Sequence, residues 1–274
     1  MAQLEQATVV QPTMRALSAA LKGAANIISI AALLAAWEGI ARSGVMTSFQ
    51  LPPLSAVLLR IGHDAATGDL LVNAGLTLYR AMAGFLIAAV GGILIGMAMA
   101  RVSIMRWFFD PILSVGFPMP KIAFLPVIVL WLGVFEASKI TMVVFDAIFP
   151  VVAATIFAIR GVERELLWSA RNMGANDHEI MWQIVLPAAL PQIMTGLQVA
   201  LPLSMIVAVV AEMLMGGYGL GAAMITASRF ANSTGVFAGI VEVAVVGYFL
   251  VRGMALIRRR LLIWHQETQT PATV

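Results

Sequence analysis

Six apolar runs alternate with polar stretches along this chain, at about residues 23–41, 74–100, 107–135, 139–160, 189–211 and 235–256. Twenty uncharged residues separate Arg80 from Arg101. At ~1.5 Å per residue, a helix of that length crosses a hydrocarbon core of about 30 Å. The pattern predicts an all-α, polytopic membrane protein with about six spanning helices. A spanning domain over 23–262 lies between polar tails at 1–22 and 263–274. The first run follows a long polar tail and contains Glu38, which argues against a cleaved leader.

The run 107–135 is too long for one span, since a straight helix would reach roughly 43 Å. Asp110-Pro111 predicts a helix start, and Pro118 and Pro120 break the middle. The reading is an interfacial helix, a break, and a third span ending near Gly133. In the second run, Gly91, Gly92 and Gly96 predict close helix packing. They are no phosphate loop, because they sit within an apolar span with no strand before them. Between the first two runs, Ser55 is predicted to cap a short surface helix through Ile61.

One polar stretch, 163–191, reads as a built object. Residues 163–173 are rich in helix formers, and Gly174 ends that helix in a position that suits a left-handed cap. Asn176 starts a second helix, with Glu179 three residues on to complete a capping box. Pro187 is predicted to stop it. The product is a rigid helix–turn–helix knob between two spans.

This knob resembles the EAA loop of ABC-importer permeases. That pattern runs Glu-Ala-Ala, three residues, Gly, nine residues, Ile, one residue, Leu-Pro. Here Trp168, Ser169 and Ala170, then Gly174, Ile184, Leu186 and Pro187 stand at the same spacing. Trp168 replaces the usual glutamate and Ser169 the first alanine. LPPLSAV at 51–57 and FPMPKIAFLPVIVLWLGVFEASK at 117–139 are similar to the branch that carries sulfonates, nitrate, taurine and cofactor precursors. The resemblance covers about residues 50–262. It implies a loop, 161–187, that docks on a separate ATPase through Trp168, Ser169, Ala170, Arg171, Gly174, Ala175, Asn176, Asp177, Ile184, Leu186 and Pro187. It also implies ATP and Mg bound by that ATPase, a second permease copy (a homodimer), and an extracytoplasmic substrate-binding protein. The cargo would be a small anion or cofactor precursor: a sulfonate, nitrate, taurine or a pyrimidine-like compound.

Composition sharpens this picture. The chain is 61% hydrophobic and only 11% charged, with mean hydropathy +0.93, against about 25% charged in a soluble domain. A pI of 9.7 invites a nucleic-acid reading, but the basic residues flank apolar runs, as topology signals do. With the N-terminus inside, eleven of the seventeen Lys and Arg residues fall in the cytoplasm. Both termini and the knob are then cytoplasmic. The chain has no cysteine, so it forms no disulfide.

The chain carries no enzyme signature and calls for no cofactor of its own. It has no Gly-x-x-x-x-Gly-Lys-Ser/Thr, nucleophile elbow or His-Glu-x-x-His, and His63, His178 and His265 are isolated. Ionisable residues at membrane depth mark pathways, which singles out Lys121, Asp146 and Glu212 beside Pro118 and Pro120. Counting along straight helices puts Lys121 roughly 20 Å and Asp146 roughly 10 Å from the outer face, too different to pair. Glu212 stands near the outer end of its span, where water can reach it. The alternative is a secondary transporter or channel subunit that works without ATP. It calls for paired intramembrane charges or inverted repeats, and the sequence displays neither.

Overall fold

The computed structural model describes residues 28–264. The 1–22 tail, the start of the first predicted span and most of the 263–274 tail therefore lie outside the described residues. No strand occurs among the described residues. The helices are α1 (28–42), α2 (Leu54–Thr67), α3 (Asp69–Arg101), α4 (Ser103–Gly116), α5 (Leu125–Leu132), α6 (Glu136–Arg160), α7 (Arg164–Asn172), α8 (Asp177–Glu179), α9 (Leu186–Met215), α10 (Leu220–Arg229) and α11 (Ser233–Leu261). A 3-10 turn, Lys121–Phe124, leads into α5, and a π-helical stretch, Ile180–Val185, joins α8 to α9. Four helical runs among the described residues are long and apolar enough to cross a membrane: α3, α6, Asp177–Met215 and α11.

The core is built on α3 and α6. Gly84, Ala88, Gly92 and Gly96 recur every four residues and share one face of α3. Val143, Ala147, Val151 and Thr155 do the same on α6. A Cβ on Gly84 would stand 2.5 Å from Val143, one on Gly92 2.8 Å from Val151, and one on Gly96 2.6 Å from Thr155. These are far inside van der Waals contact, so the two backbones approach as closely as glycine allows. A Cβ on Gly91 would come no nearer than 3.8 Å to Ile148, so the predicted close packing holds for Gly92 and Gly96 only. α9 closes this core with Ala189, Ile193, Leu197, Ala200 and Leu201.

The 107–135 run does not form an interfacial helix followed by a separate third span: α5 has only eight residues, and α4 and the Lys121–Leu132 segment are long and apolar enough to cross only as one bent pair. α4 starts at Ser103, well before Asp110, and holds Pro111 inside it. Phe109 and Leu113 pack on Met99, Val152 and Ile156, and that burial outweighs the one hydrogen bond a proline removes. α4 and the Lys121–Leu132 segment are bent by 98°. Together they run antiparallel to α6: Gly116 lies against Phe149, Lys121 reaches Asp146, and Ile128 packs with Met142.

Two further predicted helix limits are corrected. Ser55 does not cap α2, which starts at Leu54 after Pro53. Its N–H and Oγ both donate to the Glu38 carboxylate, at 3.1 and 2.9 Å, tying α2 to α1. Pro187 does not end the second helix of the knob. It lies inside one continuous helical run, directly after a π-helical stretch whose wider turn accommodates the proline ring. The wider π turn before it lets the chain run on from Asp177 to Met215.

Candidate functional site

The knob forms as the sequence predicts over α7, the Gly174 turn and α8. Gly174 has φ +86°, a left-handed conformation that closes the α7 end. Asn176 Oδ1 accepts the N–H groups of His178 and Glu179 at 3.0 and 2.9 Å, and Glu179 Oε2 accepts the Asn176 N–H at 2.8 Å. Both halves of the capping box are present.

The eleven predicted coupling residues divide by burial. Ala170 packs inside the knob with Ile180, Met181 and Val185, and Ala175 and Ile184 pack against that cluster. Leu186 joins the bundle core. These four hold the knob's shape and offer little surface. Trp168, Ser169, Arg171, Gly174, Asn176, Asp177 and Pro187 are exposed, and the Asn176 side-chain oxygen is already engaged by the cap. Large exposed apolar groups mark the outer face: Trp168, Met173 and Trp182. The sequence does not single out Met173 and Trp182, because helical spacing alone does not say which face turns outward. Arg101 Nη2, at the end of α3, donates to the Asp177 carbonyl at 3.0 Å. The knob is thus fastened to the bundle end where α3 finishes.

Lys121 and Asp146 meet. Nζ lies 3.7 Å from Asp146 Oδ1, donates to the Phe117 carbonyl at 3.0 Å, and sits 4.9 Å from the centre of the Phe149 ring. Counting from span ends keeps them apart because it assumes straight, parallel helices. The 98° bend and the antiparallel course along α6 bring them level. Pro118 and Pro120 lie exposed in that bend.

Glu212 is not solvated: it is fully buried. Arg80, equally buried, donates from Nη1 to Glu212 Oε1 and to the Tyr218 carbonyl, each at 2.6 Å. Its Nε and Nη2 donate to the two Glu136 carboxylate oxygens, also at 2.6 Å. Thr77 Oγ1 and the Gly221 N–H donate to Glu212 Oε2 at 2.8 and 3.0 Å. Lys139 Nζ donates to the Gly216 carbonyl at 2.8 Å. A side chain at Gly219 would collide with the Glu212 carboxylate, so the loop 216–221 is clamped down on α3, α6 and α9. Sequence reasoning misses Arg80, Thr77, Glu136 and Lys139 as a site. Arg80 reads there as the edge of an apolar run, yet Asn73, Thr77 and Arg80 recur at i, i+4 and i+7, a polar stripe on one helix face.

Two charge pairs therefore exist inside the bundle, and their apparent absence from the sequence is no argument against a secondary transporter. The fold and the knob define a different class: a helical membrane bundle carrying a rigid two-helix projection at one end. Residues 92–263 match the family described as "binding-protein-dependent transport system inner membrane component", and the chain belongs to that family. It is 32% identical over 251 residues to the taurine transport system permease protein TauC of Escherichia coli, covering 89% of this chain and 90% of that one. It is 33% identical to the putative aliphatic sulfonates transport permease protein SsuC of Bacillus subtilis, covering 86% of each. Its fold is shared with the solved MetNI methionine ABC transporter, with TM-score 0.64, 17% identity, and coverage of 72% of this chain and 98% of that one. The protein is thus an inner-membrane permease of the ABC-importer class, a transport subunit.

Proposed function

We propose that this permease imports a small sulfonate, with the energy supplied by a separate ATPase that docks on the knob. The observation that carries the coupling reading is the knob itself. A cap satisfied on both sides, a left-handed glycine and a private core make it rigid, and its outer face exposes Trp168, Met173 and Trp182. Rigid apolar groups of this kind anchor protein interfaces. The sulfonate reading rests on the taurine and aliphatic-sulfonate permeases among its relatives. The ATPase binds ATP and Mg, two copies of this chain line the pathway, and both termini and the knob face the cytoplasm. A substrate-binding protein delivers cargo at the opposite end.

Lys121 supplies positive charge at the α4–α5 bend, where the anionic cargo passes. Its partner Asp146 holds it in place when no cargo is present. The test is uptake into proteoliposomes of the permease with its ATPase and binding protein, using taurine and an alkanesulfonate. ATP-dependent accumulation of either supports the reading. Accumulation of neither, in a complex that still hydrolyses ATP, rejects the substrate assignment but keeps the coupling. Failure of the ATPase to bind the knob rejects the coupling.

A further inference from the structure

At the end of the bundle opposite the knob, a cavity of about 350 Å³ opens between α2, α3, α10 and α11. Asp64, Asp69 and Glu242 line it, with Arg60 as the one basic group among the described lining residues. Arg60 Nε donates to both Asp64 oxygens at 2.9 and 2.8 Å, so one guanidinium stands against three carboxylates. The wall charge is therefore net negative. Glu242 is the unusual member. It lies nine residues into the apolar helix α11, is only 8% exposed, and its Oε1 has no hydrogen-bond partner. Burying a carboxylate without a partner is costly, and the mechanism proposed above gives Glu242 no role.

We propose that this cavity binds a small organic compound through a primary ammonium group, with Glu242 as its main anchor. A metal ion does not suit the site, because no three carboxylate or histidine groups among the described residues are placed to hold one. The volume is far larger than one inorganic ion needs. Tyr218 and Phe230 also line it, and aromatic faces attract alkylammonium groups. An ammonium has three N–H donors, one for the Glu242 carboxylate and another for an acceptor at the rim, Asp69. The inference is independent of the sulfonate assignment, because the cavity's lining shares no residue with the Lys121–Asp146 pair or with the knob.

The experiment is calorimetric titration of the permease–ATPase complex in lipid nanodiscs with ethylammonium chloride. Potassium chloride and sodium propionate at equal ionic strength are the controls. Saturable ethylammonium binding, absent for both controls and weakened at least tenfold by Glu242→Gln, is the expected result. Asp69→Asn, at the exposed rim, should weaken binding several-fold without disturbing the fold, and it decides the matter if Glu242→Gln does not assemble. No saturable binding, or binding unchanged in these variants, overturns the proposal. Equal binding of potassium also overturns it, since the site would then select charge and not an amine.

Discussion

Arg80 and Glu212 lie 132 residues apart in sequence and meet at 2.6 Å inside the bundle, both shielded from solvent. The guanidinium also grips Glu136 and the Tyr218 carbonyl, so one side chain ties α3, α6 and the 216–221 loop together. Removing one member of such a pair strands the other charge, which costs about 3–5 kcal/mol. Arg80→Met should therefore lower the thermal unfolding midpoint of the purified permease markedly. The double variant Arg80→Met/Glu212→Leu should recover part of the loss, because no buried charge is then left alone. An unchanged midpoint in Arg80→Met would refute this role.

The turn at Gly174 is open, with nothing within 4 Å of where a Cβ would stand, so any penalty there is conformational. A β-branched residue at φ +86° costs on the order of 1–2 kcal/mol. Gly174→Val should leave the permease inserted and the bundle intact, yet reduce both uptake and substrate-stimulated ATP hydrolysis. Trp168→Glu, on an exposed helical site, should be tolerated better. Full stimulation in Gly174→Val would show that the turn does not carry the coupling.

For Lys121 the pairing with Asp146 changes what a single substitution means. Lys121→Met removes a pathway charge and also deprives a part-buried carboxylate of its partner. Lys121→Met/Asp146→Asn separates the two effects. Stability should return toward wild type in the double variant, while sulfonate uptake stays low. Uptake that returns along with stability would make the pair purely structural.

Topology is checked with reporter fusions. Sites at Gly68, Glu136 and Gly219 should report the exterior, and Ser103, Asn176 and the C-terminus the cytoplasm. A reporter at Asn176 found outside would place the knob away from ATP and defeat the coupling reading.

The sequence by itself determined the local objects. The apolar runs set which stretches become long helices, because burial of backbone polar groups in lipid leaves few alternatives. Gly174, Asn176 and Glu179 specified the knob's turn and cap, since their hydrogen bonds reach only three residues along the chain. Gly92 and Gly96 were legible as packing sites because small residues within an apolar span let a neighbouring helix come close.

What only the tertiary structure decided is which distant groups meet. The Lys121–Asp146 contact depends on a 98° bend and on α4–α5 running back along α6, neither of which a residue count conveys. The outward face of the knob, with Met173 and Trp182, depends on how Ala170 and Ile180 pack. Glu212 reads as solvent-facing from its place near a helix end, yet the folded 216–221 loop covers it and Arg80 neutralises it. A one-dimensional pattern records the period of each helix, whereas the partners of a buried charge are set by the angles and offsets between helices.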